Sequence, residues 1–221
     1  MKKENKIKAI IFDSNGVLFL TSYSDKVVRG HSTVGFHEDV AKKLNIELDI
    51  WFDAIDSPYA DSILGKFSEK KTLSIIAKNL EIDSGKLEKV ILSVYGRHFV
   101  KNKKIYRVID KLRVLGLYQL GILSDQWQFS RKALLTKENV RRFSPVIVSC
   151  DVGIRKPSLE VYKLLMKELR KKDKGLKYDE VVFIDNCEYN LKPARKLGMK
   201  VILFKDVDGM VGDLGKMGID V

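Results

Sequence analysis

Cysteine, proline and histidine are all scarce in this 221-residue chain, which has two Cys, four Pro and three His. The two Cys stand 37 positions apart, at 150 and 187. They can supply neither a disulfide framework nor a zinc cluster, and they suit a reducing compartment. So few Pro beside an apolar fraction of 45% exclude collagen-like repeats, low-complexity tails and intrinsic disorder. The His, at 31, 37 and 98, contain no i, i+4 pair and so no helical metal motif. Long apolar runs are missing too. The first run, Ile7 to Phe12, is interrupted by Lys8 and is far too short for a signal peptide or a membrane span. A soluble, cytoplasmic protein with no membrane contact is expected.

What the chain has in excess is positive charge: 41 Lys and Arg against 29 Asp and Glu leave a formal +12. Such a balance suits an anionic ligand, nucleic acid or a lysine-coated surface. The basic clusters at 101–104, 141–142 and 170–174 carry none of the aromatic interleaving that single-stranded nucleic-acid readers use, which speaks against nucleic acid. They read instead as solvated helix ends and loops.

Five segments read as buried strands: 8–12, 118–123, 146–150, 181–184 and 201–204. Most are short runs rich in Ile, Val and Phe, bounded by polar residues or Gly. Near-continuous apolarity implies burial on both faces, as in a parallel sheet covered by helices. Helical patterns lie between the last four. Ile105, Val108, Ile109 and Leu112 follow the i, i+3, i+4, i+7 spacing, with Gly116 as a stop. Tyr162, Leu165, Met166 and Leu169 repeat it after Pro157, a residue suited to a first helical turn. A further helix over about 190–197 ends at Gly198. The alternation predicts an α/β fold, a doubly wound parallel sheet.

Roughly eighty residues after the first strand break this rhythm. From 21 to about 99 the spacing predicts helices and no strand: Val40, Leu44 and Trp51 in one or two helices, Leu73, Ile76, Ala77 and Leu80 in another, and Leu87, Val90, Ile91 and Val94 in a third with Asp83 or Ser84 as N-cap. The expected organisation is an α/β core of 1–19 and 100–221 with an all-helical cap of 20–99. An insertion there sits above the carboxyl ends of the strands, where such sheets bind ligands.

The residues that follow the strands then meet at one edge: Asp13, Ser124, Lys156 and Asp185. Each alone has an ordinary reading. A strand that ends on Asp before Gly16 is usually an Asx turn or a cap, Ser124 an N-cap, and Lys156 a surface lysine before a helix. Together they are two carboxylates, a hydroxyl and an ammonium. Asp13 is placed to be a nucleophile, a metal ligand or both, and two facing carboxylates invite a hard divalent cation, of which Mg²⁺ is the natural candidate. Cys150 and Cys187 read as buried thiols, and Trp127 and Phe129 as packing more than as cleft lining.

These segments, Asp13 to Leu18, Ser124, Gly153 to Pro157 followed by Tyr162, and Asp185 to Gly198, resemble the four motifs of the haloacid dehalogenase superfamily in its helical-cap form. The stretch Phe183-Ile184-Asp185-Asn186, with Asn190, Ala194, Leu197, Gly198 and Met199, is similar to the N-terminal phosphatase domain of soluble epoxide hydrolases. The resemblance implies a Mg²⁺-dependent phosphatase acting on a small phosphorylated metabolite through a phosphoaspartyl intermediate on Asp13, as a monomer or homodimer. It implies that Asp13, Asn15, Asp185 and Asn186 surround the metal, that Ser124, Asp125 and Lys156 bind the substrate, and that Asn15 holds the general-acid position.

The chain departs from the family at Asn15, where most phosphatases have a second Asp that protonates the leaving oxygen and activates water. An amide can do neither, and general acid–base help is typically worth about 10² to 10⁴ in rate. Asn186 also stands where a second Asp is common, and Asp125 where Asn is. The alternative expectation is a weakened member that binds a phosphorylated ligand or partner without efficient turnover, or an Asp-to-Asn variant made to trap a complex. Dehalogenase and phosphonatase readings are minor.

Overall fold

The computed structural model describes residues 6–21 and 34–221; His31 lies outside the described residues. In chain order the elements are β1 (Ala9–Phe12), β2 (Phe19–Thr21), α1 (Val34–Leu44), α2 (Leu48–Ile63), α3 (Glu69–Asn79), α4 (Ser84–His98), β3 (Phe99–Lys101), α5 (Lys103–Leu115), β4 (Gln119–Ser124), α6 (Gln128–Leu134), α7 (Lys137–Val140), β5 (Val146–Val148), α8 (Ser149–Val152), α9 (Leu159–Leu169), β6 (Val181–Asp185), α10 (Glu188–Lys196), β7 (Lys200–Leu203) and α11 (Val207–Lys216).

β1 is short, wholly apolar and buried, and it is the centre of a five-stranded sheet in the order β5-β4-β1-β6-β7. Every adjacent pair is parallel, and Phe12 stands opposite Ile122 on one side and Ile184 on the other. Alternate side chains enter opposite cores. Ile10 and Phe12 join the larger one with residues of α5, α6 and α11, and Ala9 and Ile11 join the smaller one with residues of α9 and α10. Burial on both faces is why β1, β4 and β6 read as apolar runs rather than as alternating ones; β7, expected to be buried, is an edge strand and only partly so.

All five expected strands are present, within a residue or two. The third ends at Val148 instead of residue 150, because the chain turns at once into the single-turn helix α8. Pro157 is not in a helical turn, since α9 starts at Leu159 behind a Ser158 cap that accepts from Glu160 N–H. Ser124 is the last residue of β4 and not an N-cap; α6 begins four residues later. The described residues from 34 to 98 form helices and no strand, as expected; the antiparallel ribbon of β2 and β3, which the sequence reading did not anticipate, meets that stretch only at residues 21 and 99. Three-residue strands are too short for an alternation to register.

Among the described residues between β2 and β3 run the helices α1 to α4. Asp83 caps α4 by accepting from Lys86 N–H, and Trp51, Phe52, Ile55, Ile76, Leu87 and Ile91 are fully buried among them. Trp51 Nε1 donates to His37 Nδ1 at 2.9 Å inside this core, and His98 pairs with Asp39 at 2.8 Å, so both described His have structural partners. The helices are fastened to the sheet side at several points. Gln128 N–H donates to Ser62 Oγ at 3.2 Å, Lys132 Nζ lies 2.6 Å from both Glu69 and Glu88, and the buried Trp127 ring packs on Tyr59 while its Nε1 donates to Tyr95 OH. Gly65, just past α2, has φ +66° and backs onto α8 so closely that a Cβ would stand 2.1 Å from the Cys150 carbonyl oxygen. Left-handed backbone and this approach both demand glycine. Gly65→Ala is therefore expected to lower unfolding stability by about 2–3 kcal/mol in urea titrations, whereas Gly96→Ala, where a Cβ meets nothing within 4 Å, is expected to cost none.

Candidate active site

The four strand-end residues converge. Asp13 follows β1 directly and donates its N–H to Ile184 O at 2.8 Å, which ties it to β6. The chain then doubles back through Gly16, at φ +82°, whose N–H reaches Phe19 O, while Phe19 N–H returns to Ser14 O. Asn102, at the head of α5, closes the turn from outside by donating to Leu18 O through its backbone and to Val17 O through its side chain. Position 15 is thereby held against the tip of β1.

Lys156 arrives from the loop before α9 with a side chain only 2% exposed. Its ammonium lies 2.9 Å from Asp13 Oδ1 and 2.7 Å from Asp185 Oδ2, and its backbone N–H donates to Asp125 Oδ1 at 3.1 Å. Three carboxylates thus face one buried cation. Burial pulls the Lys156 ammonium down, but the fields of Asp13, Asp185 and Asp125 outweigh it and hold the group well above the usual lysine range. One cation cannot neutralise them all. Burial pushes Asp13 up to about 7 against the pull of Lys156, with Asp185 adding to the rise. Burial likewise raises Asp125, opposed by Lys156.

Asp185 is fully buried beneath the site. Besides Lys156 it accepts from Cys187 N–H at 2.7 Å and from Asn190 Nδ2 at 3.1 and 3.3 Å, and Tyr162 OH fixes Asn190 in turn by donating to its carbonyl at 2.5 Å. A cavity of about 320 Å³ opens above, lined by Asp13, Asn15, Asp125, Lys156, Asn186, Cys187 and Asn190. Of the expected metal-site residues, Asp13, Asn15 and Asn186 face this cavity and Asp185 lies behind. Cys187 is exposed, contrary to the expected buried thiol, because it opens α10 at the cavity rim. Cys150 is buried, and burial pushes its thiol up to about 12. Trp127 and Phe129 are packed, as expected.

Among the described residues no cluster of three or more His, Cys, Asp or Glu forms a ready-made metal cage. The donors around the cavity are nevertheless hard oxygens beside surplus buried negative charge. That set suits Mg²⁺, which keeps several waters and takes only one or two carboxylates.

Sequence reasoning missed Gln126. This side chain is 1% exposed, and its Nε2 donates to Ser124 Oγ at 2.9 Å and to Asn15 Oδ1 at 3.1 Å. Its backbone N–H is held by Ser149 Oγ at 3.0 Å. Two residues after a strand-end Ser, a Gln carries no periodicity signal; only the fold brings it against residue 15.

Removing the shared cation leaves buried carboxylates unpaired. Lys156→Met is expected to lower stability by about 3–5 kcal/mol in urea denaturation at neutral pH, while Lys163→Met, which breaks an exposed pair with Glu160, leaves the midpoint unmoved.

A family model described as haloacid dehalogenase-like hydrolase matches residues 7–198. The chain is 28% identical over 207 residues to a glyceraldehyde 3-phosphate phosphatase of Methanocaldococcus jannaschii, covering 87% of this chain and 82% of that protein. It is 38% identical over 95 residues to bifunctional epoxide hydrolase 2 of Sus scrofa, covering 43% of this chain and 16% of that protein; it thus spans only about a sixth of that relative's length. Among solved structures, a HAD-like family hydrolase of Porphyromonas gingivalis superposes with a TM-score of 0.69 at 18% identity, over 98% of this chain and all of that one. A HAD family enzyme of Bacteroides thetaiotaomicron, solved with magnesium and inorganic phosphate, gives 0.64 at 19% identity, over 90% and 94%. No described helix is long and apolar enough to cross a membrane. With the match running across nearly the whole chain and Asp13 and Lys156 lining one cavity above Asp185, this protein belongs to the haloacid dehalogenase-like hydrolase family.

Proposed function

We propose that this hydrolase is a Mg²⁺-dependent phosphomonoesterase acting on a small phosphorylated metabolite, with Asp13 as nucleophile. The observation that carries the reading is the Lys156 ammonium shared between Asp13 and Asp185 at the floor of an open cavity. Lys156 occupies Asp13 Oδ1, which leaves Oδ2 to attack phosphorus. As the new P–O bond forms, the ester P–O bond breaks and its electron pair departs on the leaving oxygen. Water then attacks the phosphoaspartyl phosphorus, the bond to Asp13 breaks, phosphate leaves and the carboxylate is restored with release of a proton. Lys156 and the Ser124 hydroxyl offset charge on the non-bridging oxygens. Asp13, the main-chain carbonyl of Asn15 and the side-chain carbonyl of Asn186 would hold Mg²⁺, with Asp185 adding charge from beneath. Bound there, the ion would shield the repulsion between carboxylate and phosphate. The helices of 20–99 act as the cap that selects the substrate. The Methanocaldococcus relative's name and the phosphate-bound Bacteroides enzyme support a small phosphorylated substrate.

A second reading, retention of a phosphorylated ligand without efficient turnover, is favoured by Asn15 alone, since an amide supplies no general acid.

In a phosphatase screen with Mg²⁺, Asp13→Ala is expected to abolish turnover, and activity that survives it refutes the nucleophile. Asn15→Asp is expected to raise turnover of esters with poor leaving groups by about 10²-fold or more. A protein inert until that change is made, yet retentive of phosphate, supports the second reading. Metal binding also has a pH signature. The Asp13 value of about 7 lies above the usual carboxylate range, so a proton competes with the ion below neutrality. Mg²⁺ is expected to raise Tm clearly at pH 8 and far less at pH 5, and an equal rise at both would place the ion elsewhere.

A further inference from the structure

The Gln126 side chain hydrogen-bonds both Ser124 and Asn15, and the direction of its hydrogen bonds sets what those two residues can do. Both are made by Nε2 as donor. Ser124 Oγ, already accepting, keeps its own proton to give elsewhere. Asn15 Oδ1, accepting from Gln126 and more weakly from Ser14 Oγ at 3.4 Å, turns toward the protein, and this leaves the Asn15 Nδ2 hydrogens for the cavity that Asn15 lines. The Gln126 Oε1, also buried, has no partner among the described residues. An orphaned buried acceptor is costly, and a side chain kept only to fill space there would be apolar. What Gln126 contributes is its pair of N–H groups.

We infer that Gln126 is a positioning residue that fixes Asn15 as a hydrogen-bond donor to the leaving-group oxygen and Ser124 as a donor to a non-bridging oxygen, so that the site serves phosphate esters whose leaving oxygen departs without being protonated. The inference rests on the phosphatase reading above and deepens it to a substrate class: enol, acyl or aryl phosphates rather than simple alkyl esters. In the transfer step the P–O bond to the leaving group breaks with its electron pair on oxygen. The resulting anion is held by Asn15 Nδ2–H and takes its proton from bulk water after release. A fixed donor aimed at charge that develops only as the bond breaks stabilises the transition state more than the ground state.

The test compares wild type with Gln126→Met, which removes both donors at similar volume, and with Gln126→Leu, a second replacement that carries no donor. Thermal melts establish that each variant is folded, and either one suffices. Affinity for inorganic phosphate in the presence of Mg²⁺, read by calorimetry, is expected to weaken about tenfold as both donors lose their aim. The kcat for methyl phosphate is expected to fall about tenfold further than that for phenyl phosphate, because the poorer leaving group depends more on the donor. Asn15→Ala is expected to raise the phenyl-to-methyl ratio in the same way, and the double variant to raise it no further. A purely structural role for Gln126 would depress both esters alike. An equal loss on the two esters, an additive double variant, or phosphate affinity within about twofold of wild type overturns the inference. Should wild type turn over neither ester, phosphate affinity alone decides. Turnover that persists in Asp13→Ala refutes the phosphoaspartyl reading instead, and leaves the phosphate-affinity result to stand by itself.

Discussion

One ammonium between two carboxylates, all three largely buried, sets the terms for the rest of this molecule. Such a group is tolerable only if its position is over-determined, because desolvation penalises every charge that is not paired. The fold supplies that determination from four directions. β1 and β6 are hydrogen-bonded neighbours, so Asp13 and Asp185 emerge side by side. The loop from β5 brings Lys156 across them and pins its own backbone on Asp125. Asn190 and Cys187, at the start of α10, take up the remaining acceptor capacity of Asp185. What is left over is negative charge facing a cavity, which a proton or a divalent cation can relieve. The same imbalance that taxes stability makes the site receptive.

The four helices between β2 and β3 are attached in a complementary way. Their apolar residues belong to the same continuous core as Ile10 and Phe12, and directed contacts are added at their junction with the sheet side: an amide on Ser62, a lysine between two glutamates, an indole between two tyrosines and a glycine against a carbonyl. Such contacts fix an orientation more than they add burial.

The parts of this arrangement that could be read in the sequence are those in which a local pattern has a single physical cause. β1 and β6 announce themselves as apolar runs that end on Asp, and α5 by its apolar stripe and Gly116, which takes φ +67°. The cap of α4 falls on Asp83, one of the two residues anticipated. What could not be read is whatever depends on contact across the chain. The ribbon of β2 and β3 is too short to carry a period. Pro157 suggests a helix start, yet Ser158 competes for the cap and moves the helix beyond it. Asp185 and Asn186 are adjacent in sequence, and only the path of the chain out of β6 turns the first into the core and the second toward the cavity. Gln126 has no local signature at all. Its significance is a hydrogen bond to a residue 111 positions away.

The register of β1 joins folding to chemistry. Phe12 is level with Ile122 and Ile184, and its four-residue strand is paired on both edges. A slip of one residue would exchange the two faces of the strand, draw the Asp13 carboxylate down between two isoleucines and leave Lys156 with Asp185 alone. Misregistered chains would therefore lose ion pairing and apolar burial in a single step, which widens the energy gap between the native pairing and its nearest competitor. The residue read here as the nucleophile thus also acts as a proofreader of strand alignment.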